Sequence, residues 1–124
     1  MRKELFKHEI TILRDTFGRL LRRHAETNLL KLIGKTHPAD LAVVFRHFND
    51  DEQVQVFSLM QGVDHTLEFL VELDDTIIEK LLNVENPDRI VDLIQNASTN
   101  DQSYILGILE ESQAKSVIDL LKKE

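Results

Sequence analysis

The chain has 124 residues, of which 42% are hydrophobic, and this is enough to enclose one core without disulfides or a structural metal. It contains no cysteine, which excludes thiol catalysis, zinc–thiolate sites and disulfides and leads us to expect the cytoplasm. The formal charge of -7 argues against nucleic acid as the main partner, because duplex binding depends on clustered Lys and Arg.

The charge is divided unevenly along the sequence. Residues 1–36 carry nine Lys or Arg and four Asp or Glu, a balance of +5, whereas residues 37–124 carry six and eighteen, a balance of -12. The basic end could meet an acidic partner or a membrane surface. Alternatively, the two ends could neutralise each other within or between chains.

A long amphipathic helix is predicted at the start of the chain. Apolar residues recur there at intervals of four and three, as a heptad-like seam: Phe6, Ile10, Leu13, Phe17 and Leu20. Because a coiled coil needs about three to four heptads, we expect this helix to dock on the first hairpin, with dimerisation as the alternative. A second apolar cluster ends at Gly34, where a helix is predicted to stop. Residues 1–35 are therefore predicted to be a basic helix and a connecting helix packed on the rest.

Short helices are predicted throughout residues 36–124. Residues typical of helix N-caps recur 10 to 14 positions apart, at His37, Asp50, Asp64, Asp74, Asn86, Thr99 and Ser112. Two of these caps precede a proline, which suits the first helical position: Pro38 and Pro87. Two pairs have capping-box spacing: Asp50 with Gln53, and Thr99 with Gln102. Helices of about ten residues are unstable alone, so pairs of about 25 residues are predicted to stack in series as a small solenoid.

Motifs for catalysis and for nucleotide binding are missing from the sequence. The four glycines are isolated, which excludes a P-loop and a Rossmann turn. The five histidines form no i,i+4 pair, so a zinc site is not expected. No serine lies in a nucleophile-elbow context, and the chain is predicted not to be an enzyme. No stretch approaches the ~20 apolar residues of a membrane helix.

Carboxylates are dense after residue 36 and could serve either of two purposes. Capping and the helix dipole favour Asp and Glu at helix starts, which explains most of them structurally. Mg²⁺ also prefers oxygen ligands, and it keeps several waters and needs only one or two protein carboxylates. Glu68 and Glu72 lie one turn apart and away from the predicted helix starts, so they are the acids least explained by capping.

One part of the sequence resembles a known family of domains. The segment 36–42, Thr-His-Pro-Ala-Asp-Leu-Ala, followed by the acidic turn 49–52, is similar to the His-Pro-x-Asp-Leu/Ile-Ala motif of the intracellular N-terminal domain of MgtE-type magnesium transporters. The similarity continues through Leu73-Asp74-Asp75 and Glu85-Asn86-Pro87 and covers roughly residues 20–124. It implies an all-α fold, a right-handed, armadillo-like superhelix of short helical hairpins, here preceded by one long N-terminal helix.

The resemblance also implies a regulatory function in magnesium transport. In that family, paired CBS domains and a membrane pore follow, and Mg²⁺ held between acidic faces of the N-terminal and CBS domains favours the closed pore. Carried over by position, the acid of the middle helix is Glu68. The late acidic motif falls on residues 100–104, where only Asp101 keeps a carboxylate because Asn100 and Tyr104 replace the others. The predicted ligands of a weak Mg²⁺ site are therefore Glu68, Asp101 and Glu72.

A second family offers an alternative function. The middle domain of the flagellar motor switch protein FliG has a similar hairpin fold and a His-Pro-containing helix start, which implies a free-standing scaffold or adaptor that binds protein partners without metal. The acid-rich turns fit MgtE better. The last helix, through residues 120–124, has no stop signal, which favours a fragment whose partners are the CBS domains and the pore. The partner of a free-standing protein is open, as is a homodimer.

Overall fold

The computed structural model describes residues 7–123, and all regular structure in these residues is helical. Turns separate nine helices in this part of the chain: α1 (Lys7–Arg22), α2 (Glu26–Lys35), α3 (Pro38–Phe45), α4 (Asp50–Leu59), α5 (Thr66–Leu70), α6 (Asp75–Leu82), α7 (Pro87–Ile94), α8 (Thr99–Ile108) and α9 (Glu111–Lys122). The predicted all-α class is confirmed. The right-handed superhelix stays a prediction. Phe6, the first residue of the predicted seam, and Glu124 lie outside the described residues.

The first of two compact units, Met1–Glu72, contains α1 to α5. Within it α1 packs on α2 and α3, α2 packs on α4, and α3 packs on α5. Phenylalanine rings join three of these helices, because Phe45 of α3 contacts Phe69 of α5 and Phe48, which in turn contacts Phe17 of α1. The predicted domain boundary between residues 35 and 36 stays a prediction.

The second compact unit, Leu73–Glu124, contains α6 to α9. Here α7 packs on α9 and α6 packs on α8. The side chain of Gln113 on α9 donates from Nε2 to the carbonyl oxygens of Leu82, at 2.9 Å, and Glu85, at 2.6 Å. Arg89 also pairs with the Glu85 carboxylate at 3.0 Å. The turn between α6 and α7 is therefore fixed by polar contacts as well as by the apolar core.

Three of the seven predicted N-caps lie where the sequence predicts them: His37, Asp74 and Asn86. Pro38 and Pro87 occupy the first helical positions, as predicted. Four caps are wrong by one or two residues, since the structure uses Asn49, His65, Ser98 and Glu110 in place of Asp50, Asp64, Thr99 and Ser112.

The predicted capping boxes do not form, and the capping hydrogen bonds lie one residue earlier. Asn49 and Glu52 form the box, because Asn49 Oδ1 accepts from the Glu52 N–H at 2.8 Å and Glu52 Oε1 accepts from the Asn49 N–H at 2.9 Å. In the second unit, Ser98 Oγ accepts from the Asp101 N–H at 3.1 Å. At both sites two cap-forming residues are adjacent, and the structure uses the earlier one. Gln53 and Gln102, which were predicted to complete the boxes, donate instead to backbone carbonyls of the preceding helices.

Two hairpins, α3–α4 and α7–α8, are built alike and lie 49 residues apart in the sequence. Gln53 of α4 donates from Nε2 to the carbonyl of Phe45, the last residue of α3, at 3.1 Å. Gln102 of α8 donates in the same way to Ile94, the last residue of α7, at 2.7 Å. Each glutamine thus connects its helix to the end of the preceding one. The hydrogen-bond pattern therefore repeats within the chain, while the stacking of helical pairs in series stays a prediction.

The second helix does not stop at Gly34, and that prediction is wrong. α2 continues to Lys35, and Thr36 leaves it in an extended conformation with φ -90° and ψ 132°. The Thr36 hydroxyl donates to the Leu32 carbonyl at 2.6 Å, which satisfies one of the last helical acceptors. His37 has φ -58° and ψ 137°, in the polyproline II region that a residue before proline prefers, so Pro38 begins the next helix in a new direction.

Candidate functional site

Glu68 lies on a helix of only five residues, α5, in the first unit. Three buried neighbours fix this helix: Thr66, Phe69 and Leu70. The Thr66 hydroxyl donates to the carbonyls of Val63, at 2.7 Å, and Met60, at 3.1 Å, while Phe69 packs on α3 through its contact with Phe45. With these side chains turned inward, Glu68 is exposed to solvent.

The prediction that Glu68 lies away from a helix start is wrong. Because α5 begins at Thr66, Glu68 is in its first turn, where the helix dipole favours a negative charge. Glu72 lies beyond the end of α5, after the C-cap residue Val71, and its side chain is exposed. Its backbone carbonyl accepts from Arg46 Nη2 at 2.9 Å. The two acids therefore flank the end of α5 and do not occupy successive turns of one helix.

Asp101 belongs to the second unit and is the third residue of α8. Its N–H donates to the Ser98 cap, and its side chain is half-buried in the first helical turn. The helix dipole stabilises a carboxylate at this position without any metal. The helix dipole therefore explains a carboxylate at Asp101 as well as it explains one at Glu68.

Within residues 7–123, no three His, Asp or Glu side chains form a group that could hold a metal ion. The structure puts Glu68 and Glu72 in the first unit and Asp101 in the second. Because Mg²⁺ fills most of its coordination shell with water, one or two protein carboxylates are enough for a weak site. The assignment of Glu68, Glu72 and Asp101 as Mg²⁺ ligands stays a prediction.

Tyr104 makes a contact that the sequence did not reveal. Its hydroxyl on α8 donates a hydrogen bond to Oδ1 of Asp75, the first residue of α6. This hydrogen bond, partial burial and the negative charges of Asp75 and Asp74 raise the pKa of Tyr104 to about 12. A neutral phenol therefore connects two helices of the second unit at an acidic turn.

This contact predicts an unusual alkaline titration, which one absorbance signal can follow. The chain has a single tyrosine and no tryptophan, so its tyrosinate absorbance reports on Tyr104 alone. We expect the folded protein to ionise with a midpoint near pH 12 and the urea-unfolded chain near pH 10.0. The pKa of Tyr104 is higher in the folded state than in the unfolded state. The contact therefore contributes fully to the free energy of unfolding below pH 10.0, and this contribution is lost as the pH rises to about 12.

Two substitutions check the cause of this shift. Asp75→Asn should lower the tyrosinate midpoint of the folded protein, whereas Asp92→Asn, the same change on an exposed residue of α7, should leave it in place. A folded-state midpoint near pH 10.0 in the unmodified protein would show that the hydrogen bond to Asp75 does not form in solution.

The family described as the MgtE intracellular N domain matches residues 36–124. The chain belongs to this family. The match begins just before the His37 cap, covers both α3–α4 and α7–α8, and confirms the resemblance drawn from the His-Pro segment. No curated protein and no solved structure matches the chain.

Membership in the MgtE intracellular N domain family defines the general class of this protein. The family is one of regulatory domains and is not a family of catalysts. No helix in the described part, residues 7–123, is both long enough and apolar enough to span a membrane. Helices α1 and α2 lie outside the matched residues.

Proposed function

We propose that this chain is a regulatory domain of a magnesium transporter, and that its acidic surface responds to Mg²⁺ and thereby gates a membrane pore carried elsewhere. The family match over residues 36–124 is the observation that carries the proposal. These residues also hold a charge balance of -12, as an electrostatic response to a divalent cation requires.

The proposed mechanism is a change in repulsion between two acidic surfaces. Without cations, the surface with Glu68 and Glu72 repels an acidic partner domain, and the separated state is favoured. Bound Mg²⁺ supplies positive charge and bridges carboxylates of the two surfaces through its inner-sphere ligands and its waters. In this mechanism the chain provides only part of the ligand set, which agrees with the absence of a three-ligand group among residues 7–123.

The local positions of the acids favour a low affinity. Glu68 and Asp101 both lie in first helical turns, where the dipole already stabilises their negative charge. A carboxylate that is stabilised in this way gains less from a cation than an isolated one. A weak site suits a sensor that must release Mg²⁺ when its concentration falls.

Thermal unfolding in MgCl₂, compared with NaCl at equal ionic strength, tests this function. At a Mg²⁺ concentration about ten times Kd, binding adds roughly 1.4 kcal/mol and raises Tm by about 5 °C. The Glu68→Gln/Glu72→Gln variant should lose most of this increase. The control variant Glu79→Gln/Glu111→Gln, with the same charge change on exposed residues, should keep it. Equal Tm values in the two salts would refute metal sensing.

A protein-binding scaffold without metal sensing is the second candidate function. Tyr104 favours it, because a phenol stands where the resemblance implies a carboxylate of the late acidic motif, and its hydroxyl donates a hydrogen bond to Asp75. Asn100 removes a further negative charge from the same motif. A flat response to Mg²⁺ in the unfolding experiment would support this function.

A further inference from the structure

A basic cleft opens in the first unit between α1 and the turn that joins α3 to α4. Its volume is about 340 Å³. His47 and Phe48 line it from the turn. Three arginines line it from α1: Arg14, Arg19 and Arg22. We call this site the arginine cleft. Since α1 lies outside residues 36–124, the family match does not account for it.

The walls of the arginine cleft are held by the aromatic core. The rings of Phe17 on α1 and Phe48 lie 5.7 Å apart between centroids, and Phe17 is fully buried. Gly18, in the middle of α1, forms part of the lining. A Cβ at this position would lie 3.3 Å from Arg22 Nη1, so the glycine leaves room for that guanidinium against the helix. Alanine would be favoured here by about 1 kcal/mol on helix propensity alone.

The charges in the arginine cleft are available to a ligand. None of the three guanidinium groups has an ion pair with another residue in the described range, 7–123. Two carboxylates also line the cleft, Asp15 and Glu52. Glu52 is held by the capping box, because its Oε1 accepts from the Asn49 N–H. Arginine presents a planar fork of donors that matches carboxylate geometry in a bidentate way, so three such forks in one concavity suit an acidic ligand.

We propose that the arginine cleft docks an acidic segment of a partner protein that presents several carboxylates close together. A protein segment fits better than an anionic membrane, because a flat bilayer cannot enter a concave site. Single Asp or Glu side chains can enter and pair with one arginine each. The interaction uses the basic end of the chain and no metal, so it goes beyond the proposed magnesium response.

Fluorescence anisotropy with a fluorescein-labelled hexaglutamate peptide, in EDTA and at low salt, tests the docking. The variant Arg14→Gln/Arg19→Gln/Arg22→Gln should weaken binding at least about tenfold. The control variant Arg23→Gln/Lys31→Gln/Lys35→Gln makes the same charge change on exposed residues at the same end of the chain. This control variant should change the affinity by less than about threefold. It lowers the general electrostatic attraction by the same amount as the cleft variant but leaves the arginine cleft intact.

A second variant separates shape from charge. Gly18→Leu keeps every charge and replaces glycine with a good helix former, but the leucine side chain occupies the arginine cleft. We therefore expect a loss of peptide affinity with unchanged helical circular dichroism. Failure of the peptide to bind the unmodified protein, equal losses in the cleft and control variants, or full affinity in Gly18→Leu would each overturn the proposal. So would arginine-dependent binding to phosphatidylserine vesicles without peptide binding, or arginine-dependent self-association of the chain in sedimentation.

Discussion

Replacing Phe45 with alanine is expected to lower the free energy of unfolding by about 3–5 kcal/mol. Phe45 is fully buried at the end of α3. Its ring lies 5.8 Å from that of Phe48 and 5.0 Å from that of Phe69 between centroids. Removal of the ring therefore leaves a cavity between α3 and α5 and takes away two edge-to-face contacts. Urea denaturation followed by circular dichroism measures the loss.

A truncation on the neighbouring helix is the control for Phe45→Ala. Val54 on α4 is 52% exposed, so Val54→Ala should change the free energy of unfolding by no more than about 0.5 kcal/mol. A loss below about 1 kcal/mol for Phe45→Ala would mean that the aromatic cluster is not the centre of the first unit.

Replacing Ile90 with alanine is the corresponding test of the second unit, with an expected loss of about 2–5 kcal/mol. Ile90 is fully buried on α7, the helix that packs on α9. Ile118 on α9 offers the same chemical change at a side chain that is 37% exposed. We expect Ile118→Ala to cost less than about 1 kcal/mol, because solvent fills the space that the side chain leaves. Equal losses for the two variants would contradict the burial of Ile90 in a packed core.

The sequence predicted helix starts best where proline fixes the backbone. Pro38 and Pro87 have a fixed φ and no N–H, so the residues before them, His37 and Asn86, could be assigned as caps. Adjacent cap-forming residues gave errors, as with Asn49 and Asp50, because either side chain can accept the same kind of bond. The partner three residues later decides between them, and Glu52 suits Asn49.

The environment of the candidate metal ligands was harder to predict. Nothing in the sequence indicates that α5 has only five residues, and the sequence therefore predicts that Glu68 lies away from a helix start. The start of α5 depends on Thr66, a buried polar residue whose hydroxyl bonds are visible only in three dimensions. Tyr104 and Asp75 are 29 residues apart, and no periodicity connects them.

The position of the arginine cleft could not be predicted from the distribution of charge along the sequence. The excess of Lys and Arg in residues 1–36 was plain in the sequence. Which of these cations share one concavity depends on the packing of α1 against α3, through the contact between Phe17 and Phe48. Composition therefore indicates where positive charge is concentrated, and packing determines which arginines line the proposed site.

Residue-resolved magnesium titration by amide NMR tests the proposed function most directly, with NaCl at equal ionic strength as the reference. If the acidic surface senses Mg²⁺, the amide shifts of Glu68, Glu72 and Asp101 should each saturate with Mg²⁺ concentration and exceed the shifts at Glu79 and Glu111. Uniform small shifts at all exposed acids, identical in the two salts, would contradict a magnesium-sensing function.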